Sequence, residues 1–280
     1  MKDLIKQHHA ITEARYDLSA IEKNLLYMLL AKIDDNVPEA IDKVRINIEI
    51  EELENRVKQK ISFEKLEKIS KRMVTRSFEI QTDEVWTWFS IVSSFAFDEK
   101  TGIIELGISK GVYPYVFQLK KEYTTEFLLD MVLSLRSKYS KRLYEMLCQH
   151  ANKGRLHISV DELRARLGLN PPHAKQPRYG TWTQFETAIL KRPVEEITTK
   201  TDLYVRYDLE RDGKKFTGVR FRFYKKDKQM ELGFPHSSSK AFTSEQKIAK
   251  RMLDEGLPLS QVSRLTGLSQ NEVQLIQSDR

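Results

Sequence analysis

The chain has 280 residues, 47 Lys and Arg against 40 Asp and Glu, a net charge of +7 and one cysteine, Cys148. That length suits two domains with real hydrophobic cores. A single cysteine excludes an internal disulfide framework and any multi-cysteine zinc site. No apolar run approaches the roughly 20 residues of a membrane span, and Met1–Lys6 lacks the apolar stretch of a signal peptide, so a cytoplasmic protein is expected, with no membrane among its partners. The charge is uneven: residues 1–115 carry a net −3, residues 116–236 a net +9 and residues 237–280 a net +1. Inside the acidic first part, Arg56 to Arg76 holds eight basic and two acidic residues. Two separate basic patches point to an anionic polymer such as nucleic acid.

In chain order, Ser19-Ala-Ile-Glu22 is a capping box. Leu18, Ile21, Leu25, Leu29 and Ile33 then recur at helical spacing, and Asp34-Asp35-Asn36 with Pro38 ends that helix. Arg45 to Ile50 alternates as a short strand, and Ile50 to Lys60 reads as a second helix. Ser62 to Arg76 reads as a third, with Phe63, Leu66, Ile69 and Met73 inward and Lys65, Lys68, Lys71, Arg72 and Arg76 on another side. Two β runs follow, Phe78–Ile80 with Val85–Phe97 and then Ile103–Ser109, the last joined through the turn Asp98–Gly102. Helices followed by a β-hairpin is the order of a winged helix.

The order recurs. Thr124–Leu135 and Ser140–Ala151 read as helices, with Cys148 as a small core residue. Ser159-Val-Asp-Glu162 is a second capping box, and Gly168 is placed to end its helix. Leu169-Asn170-Pro171-Pro172 reads as a turn. A further helix carries Trp182, Phe185, Ile189, Val194 and Ile197, and Pro193 is expected to kink or stop it near Arg192. Leu203–Leu209 and Phe216–Tyr224 form a hairpin across Arg211-Asp-Gly213-Lys-Lys. Leu203, Val205, Tyr207, Leu209, Val219, Phe221 and Phe223 face inward, and Arg206, Arg220 and Arg222 outward. With Lys214 and Lys215 at its tip, this hairpin is a basic wing. Pro235–Lys240 reads as a linker. Thr243–Glu255, Leu259–Thr266 and Ser269–Gln277 follow as short helices, and Leu259–Ser269 resembles the helix-turn-helix of site-specific recombinases and transposases. Its reading helix holds no Lys or Arg, so a protein-contacting tail is favoured over one that reads DNA. The fold class is therefore α+β: a winged-helix domain over residues 1–121, a second over 122–236, and a linker with a small helical tail over 237–280.

No catalytic constellation emerges. There is no GxxxxGK[ST], since Gly102 to Gly107 continues Ile108-Ser109 inside a hairpin. The adjacent His8-His9 does not give the His-x-His spacing of a metal-dependent nickase, and no GxSxG or CxxC occurs. No catalytic residue, metal site or cofactor is expected, and a binding protein is favoured over an enzyme.

Five segments carry a family likeness: Tyr123-Thr-Thr-Glu-Phe127; Leu135-Arg-Ser-Lys-Tyr-Ser-Lys-Arg-Leu-Tyr-Glu-Met-Leu147; Ile158-Ser-Val-Asp-Glu-Leu-Arg-Ala-Arg-Leu-Gly168; Glu195-Glu-Ile-Thr-Thr-Lys-Thr-Asp202; and Gly213-Lys-Lys-Phe216 through Phe221-Arg-Phe223. Together they resemble the iteron-binding plasmid replication initiators, two winged-helix domains in tandem, over residues 10–226. Pro193 departs from the pattern, falling where the family usually continues its recognition helix. The resemblance implies binding of directly repeated double-stranded DNA at an origin, with one monomer spanning each repeat. It further implies melting of an adjacent AT-rich region, recruitment of the host replicative helicase and other replication proteins, and a homodimer, joined through the first domain and in equilibrium with the monomer, that represses its own gene. The alternative is a winged-helix transcriptional regulator without initiator activity. An integrase or transposase accessory enzyme is suggested by the tail alone and lacks a convincing catalytic Tyr, Ser or acidic triad.

In a winged helix the reading helix enters the major groove and the hairpin lies on the backbone. The base-reading candidates are Arg178, Thr181, Thr183, Gln184 and Thr187. The phosphate candidates are Lys175, Lys191, Arg192, Arg206, Lys214, Lys215, Arg220 and Arg222, joined from the first domain by Lys65, Lys68, Lys71, Arg72 and Arg76. Trp182 and Phe185 are assigned to the core. Two reading helices on one face, a helical turn apart, predict a site of roughly 20 base pairs.

Overall fold

A computed structural model describes residues 4–33, 44–81, 85–117, 119–170 and 177–226 and, in the tail, 248–249, 251–253, 257–268 and 273. The chain forms two compact units, Met1–Lys228 and Gln229–Arg280. The expected helix stop at Asp34–Pro38, the turn prolines Pro171 and Pro172, Lys175, the Pro235–Lys240 linker and most of the two outer tail helices lie outside the described residues.

The first unit opens with strand β1 (Leu4–His8) and helix α1 (His9–Glu13), and an irregular stretch leads to α2 (Ala20–Ala31). The capping box forms: Ser19 accepts from the Glu22 N–H, and the Glu22 carboxylate accepts from the Ser19 N–H at 2.6 Å. Strand β2 (Arg45–Glu49) runs into α3 (Ile50–Val57), which is followed by α4 (Phe63–Met73). A short hairpin of β3 (Phe78–Gln81) and β4 (Trp86–Phe89) comes next, then a second hairpin of β5 (Val92–Asp98) and β6 (Ile103–Ile108). β6 is central in the three-stranded sheet β2-β6-β5. Thr124–Leu135 is only partly the expected helix: Thr124–Leu128 is strand β7, antiparallel to β1 from His8↔Thr124 to Leu4↔Leu128. The alternation of Thr125 and Phe127 inward with Glu126 outward suits a strand, and the helix, α5, covers Leu129–Ser134.

Helix α6 (Lys138–Gln149) then leads to strand β8 (Arg155–Ser159), which runs into α7 (Val160–Arg166). Ser159 caps α7 by accepting from the Glu162 N–H at 3.1 Å, while the Glu162 carboxylate accepts from Arg166 and Arg15 instead of closing the box. The next helix runs from Trp182 to Lys200 without a stop. It begins as α8 (Trp182–Phe185), widens to a π-helical segment over Glu186–Lys191 and resumes as α9 (Arg192–Lys200). Pro193 cannot donate to the preceding turn, and its ring crowds the carbonyl four residues back. The chain meets this by shifting register, the Arg192 N–H donating five residues back to Thr187. Strands β9 (Leu203–Asp212) and β10 (Lys215–Lys225) complete the sheet β8-β10-β9. In the tail, Leu259–Thr266 is a helix ended by Gly267 in the left-handed conformation, with Ala249, Leu253, Val262 and Val273 buried together.

A continuous apolar core runs through the first unit, from Ile5 to Phe223. Helix α2 is buried from Glu22 to Leu30. It carries a charge into that core: Lys23 Nζ lies 2.8 Å from Glu145 Oε1 on α6, and Arg142 Nη1 lies 2.5 Å from Glu145 Oε2. Burial lowers the Lys23 ammonium to about 7, and burial likewise lowers Lys141, whose Nζ donates to the Val132 carbonyl, to about 7. Burial would raise Glu145, but the two cations beside it hold its carboxyl below the usual range.

Candidate nucleic-acid interface

In α4, Leu66, Ile69 and Met73 are buried at helical spacing, and Lys68, Lys71 and Arg72 are exposed. Lys65 is half-buried, and Lys71 is paired with Glu67 at 2.6 Å. Arg76 lies beyond the helix in a turn, half-buried, with its N–H returned to the Arg72 carbonyl. Lys65, Lys68 and Arg72 therefore form one stripe at spacings of three and four. Phe63 was expected inward, but it is 52% exposed and packs its ring against Phe97 of β5 at 6.1 Å. At the first turn of the helix it stands above the core that Leu66 enters.

The second candidate reading helix begins after Thr181, whose Oγ1 accepts from the Gln184 N–H at 3.4 Å. Thr181 is thus an N-cap. Thr183 and Gln184 are exposed beside it, and Thr187 is half-buried one turn on. Lys191 and Arg192 are exposed, with Lys191 Nζ 3.5 Å from Glu186. Phe185 is fully buried, as expected. Trp182 is only half-buried and lies stacked on Phe216 of β10, centroids 3.9 Å apart. The Arg211 guanidinium covers the other ring of that stack at 4.1 Å from the Phe216 centroid. Trp182 Nε1 donates to Glu186 Oε2, and the Tyr207 hydroxyl donates to Glu186 Oε1. These contacts tie the start of this helix to the hairpin close to its tip, at Phe216 and Arg211, and midway along β9, at Tyr207.

The hairpin turns at Gly213, whose φ of +56° suits glycine, and presents Lys214 and Lys215 exposed at its tip. Arg206, Arg220 and Arg222 lie on the outer face as expected, yet that face is not purely basic. Asp208 and Glu210 share it: Arg222 pairs with Asp208 at 2.6 Å, and Arg220 pairs with Glu210, which His157 of β8 also meets at 2.6 Å. Hydrogen bonds from Arg220 and His157 hold the Glu210 carboxyl below its ordinary range. Arg206 Nε donates to the Tyr204 hydroxyl at 2.8 Å. The two carboxylates were visible in the period-two pattern Arg206, Asp208, Glu210. Exposed pairs of this kind contribute little and yield readily to another anion.

Arg178 stands apart from the other candidates. Its Nη1 lies 2.8 Å from Asp17 Oδ2, far back in sequence, and Arg164 donates to the carbonyls of Arg178 and Tyr179. Tyr179 takes a left-handed φ of +56°. Asp17 carries no motif that would single it out from sequence, and although Arg164 falls in the Ile158–Gly168 segment and Arg211 in the hairpin turn, only the long-range packing brings the three to this helix. No helix among the described residues is long and apolar enough to cross a membrane, and among those residues no three potential metal ligands gather.

Residues 4–148 match the family described as Initiator Replication protein, WH1, and residues 159–223 match Initiator Rep protein, WH2. Residues 243–278 match the C-terminal helix-turn-helix domain of the Rpn/YhgA-like nuclease family. The chain is similar to the PI protein of Escherichia coli, 23% identical over 255 residues that cover 79% of this chain and 83% of that one. It is also similar to a replication initiation protein of Escherichia coli, 28% identical over 187 residues, 60% of this chain and 55% of that one, so it matches about half the length of this second relative. Among solved structures it resembles the Pi initiator protein crystallised in complex with iteron DNA, at a TM-score of 0.67 and 24% identity over 80% of this chain and 98% of that one, a likeness of fold. With the WH1 pattern spanning more than half of its length and the same strand–helix–helix–hairpin plan occurring twice, the chain belongs to the replication-initiator family of tandem winged-helix proteins.

Proposed function

We propose that the chain is a plasmid replication initiator that binds directly repeated double-stranded DNA at an origin through both winged helices. The observation that carries this reading is the pairing, within one compact unit, of two exposed basic reading elements: the α4 stripe and the α8–α9 helix with its lysine-tipped hairpin. Basic side chains on the hairpin and along the helix flanks supply affinity by releasing counterions. Thr183 and Gln184, polar and exposed in the first turn, are of the right kind to meet base edges. Thr181 serves through its cap and Thr187 as a more recessed contact. Kinship with proteins named for replication initiation, one of them crystallised with iteron DNA, supports the same reading.

In this proposal the first winged helix, residues 1–121, also dimerises, and the second, residues 122–236, carries most of the reading. The dimer represses the chain's own gene, the monomer opens the origin and recruits the host helicase, and the protein acts in the cytoplasm as a binder rather than an enzyme. The decisive experiment supplies the chain in trans to a reporter plasmid that carries the direct repeats found beside its gene. Maintenance of the plasmid is the expected result. Tight binding to the repeats and repression of the adjacent promoter, without replication, would instead establish a transcriptional regulator.

A further inference from the structure

Four consecutive residues between α1 and α2 are fastened among them to α2, α6, α7, β3 and the approach to α8. The Ala14 carbonyl accepts from Arg142 Nη2 at 2.9 Å on α6. Arg15 bridges to β3 through its backbone, its N–H donating to the Glu79 carbonyl at 2.9 Å and its carbonyl accepting from the Glu79 N–H at 3.1 Å. Its guanidinium then divides: Nη1 reaches Glu79 Oε1 at 3.4 Å and Nη2 reaches Glu162 Oε2 of α7 at 3.2 Å. Tyr16 is buried, its ring covered by the Arg142 guanidinium at 4.2 Å and its hydroxyl accepting from Lys23 Nζ at 2.8 Å. Asp17 takes Lys138 of α6 with one oxygen and Arg178, at the approach to α8, with the other. Gly168, at the end of α7, has a φ of +62°, and a Cβ there would sit 3.0 Å from Asp17 Cβ and 3.1 Å from the Tyr16 carbonyl oxygen. The stretch is thus pressed against the second winged helix at a point where only glycine fits.

The destinations matter more than the number of contacts. Glu79 lies on the strand that directly follows the first reading helix. Glu162 and Arg178 flank the second, Glu162 on the helix packed before it and Arg178 in the segment that leads into it. We propose that Ala14–Asp17 is a strap that fixes the distance and rotation between the two reading helices, with Arg15 and Asp17 as positioning residues that act through Glu79, Glu162 and Arg178. This deepens the initiator reading and rests on it. Arg178 then serves to hold the approach to α8 rather than to read a base. The reason such a strap has value is geometric: one extra base pair between the two half-sites rotates them by about 35° and separates them by about 3.4 Å. A rigid reader loses contacts at that offset, whereas a loosely joined reader absorbs it.

The test uses the full chain and duplexes containing the site it selects from a random library, with the spacing between the two protected halves unchanged, lengthened by one base pair or shortened by one. Wild type should lose roughly tenfold or more with either change, as for a mismatch in a specific site. In the Arg15→Ala/Asp17→Asn variant, binding at the natural spacing weakens and the spacing penalty shrinks to about threefold or less. Glu79→Gln, which leaves the backbone bridge intact, gives a smaller shrinkage and serves where the double variant is poorly folded by thermal melting. Because Asp17 also meets Lys138, pairing Asp17→Arg with Arg178→Asp and Lys138→Glu should restore the wild-type penalty. An unchanged penalty in the Arg15→Ala/Asp17→Asn and Glu79→Gln variants, or a wild type indifferent to spacing, overturns the strap. A charge swap that instead loses preference at one base position returns Arg178 to base reading and overturns its assigned role. A wild type that selects no sequence at all overturns the initiator reading itself, a result distinct from these.

Discussion

In the first winged helix β2 runs into α3, α4 follows, and the β5–β6 hairpin closes the sheet with β6 in the middle; in the second, β8 runs into α7, the α8–α9 helix follows, and the β9–β10 hairpin closes the sheet with β10 in the middle. The plan is one, but the charge is placed differently. In the first the cations lie along the helix, and the hairpin tip carries Asp98 and Glu99 beside Lys100. In the second the tip carries Lys214 and Lys215, the outer face carries three arginines, and the exposed start of the helix is uncharged, Thr183 and Gln184. The first also inserts the β3–β4 hairpin between its helix and its wing, with Trp86 and Trp88 more than half exposed. On the proposed reading, one scaffold then offers two solutions: a helix that holds phosphates, and a helix free to read bases because its wing holds them.

The largest expected effect follows from the summed charge. With six to ten phosphate contacts spread over both winged helices, affinity for the repeat should fall on the order of 10³-fold or more between 50 and 200 mM salt. A nearly flat titration measured by fluorescence anisotropy would break the comparison at its root, since neither helix nor wing would then be holding phosphate. Next is the junction on which both halves are built. Glu145→Ala leaves Arg142 buried without its anion and Lys23 without its acceptor, a loss of about 3–5 kcal/mol in stability. Urea unfolding checks it, and separate transitions for the two halves would show that they share less than the continuous core implies. Smaller again is Gln184→Ala, expected to cost about 1–3 kcal/mol of discrimination between the right base and the wrong one. Lys214→Ala should instead weaken all sequences alike and lower the salt slope by about 0.9. Identical, sequence-blind losses from both substitutions would remove the division of labour between helix and wing.

The shared junction also sets a pH dependence. Lys141 and Lys23 sit near 7 in the folded protein because burial disfavours their charged forms, against 10.5 as the ordinary lysine value. Between those values the unfolded chain holds the proton that the folded chain has released, so stability rises with pH. Below about 7 both states are protonated and the burial cost is present in full. Each lysine contributes a slope on the order of 1 kcal/mol per pH unit between pH 7 and pH 9. Lys141→Met should remove its share of that rise in urea unfolding; an unaltered rise would place the titration elsewhere.

Much of this plan was legible in the sequence because it rests on local physics. Ser19 with Glu22, the inward run Leu66-Ile69-Met73, and the alternation of β9 and β10 around Gly213 each declare themselves within a few residues. What was not legible depends on partners far along the chain. Thr124–Leu128 is a strand because β1 lies beside it, more than a hundred residues earlier, and taken alone its pattern joins smoothly to the helix that follows. Phe63 has helical spacing with the core residues, and only the position of β5 turns it outward against Phe97. Pro193 signals a break by its chemistry, but the π-helical register that absorbs it is set by the burial of Ile189, Leu190 and Val194 on either side. Arg178 reads in sequence as the start of the helix, whereas α8 begins at Trp182, and nothing local marks Asp17 as the partner of Arg178.

The smallest effect is the sharpest probe of the two wings. The β5–β6 turn places Lys100 between Asp98 and the left-handed Gly102, with the Asp98 carboxylate accepting from the Lys100 N–H at 2.9 Å. That hydrogen bond holds the Asp98 carboxyl below its ordinary range, so the tip keeps its anion at neutral pH. A phosphate approaching this turn meets two carboxylates for one ammonium and is repelled on balance, whereas at the Gly213 turn it meets Lys214 and Lys215. Lys100→Ala should therefore leave both affinity and salt slope unchanged, within about twofold, in the same assay that registers Lys214→Ala. A loss at Lys100 as large as that at Lys214 would mean that the first hairpin also lies on the backbone. The first winged helix would then hold DNA as the second does, with helix and wing together.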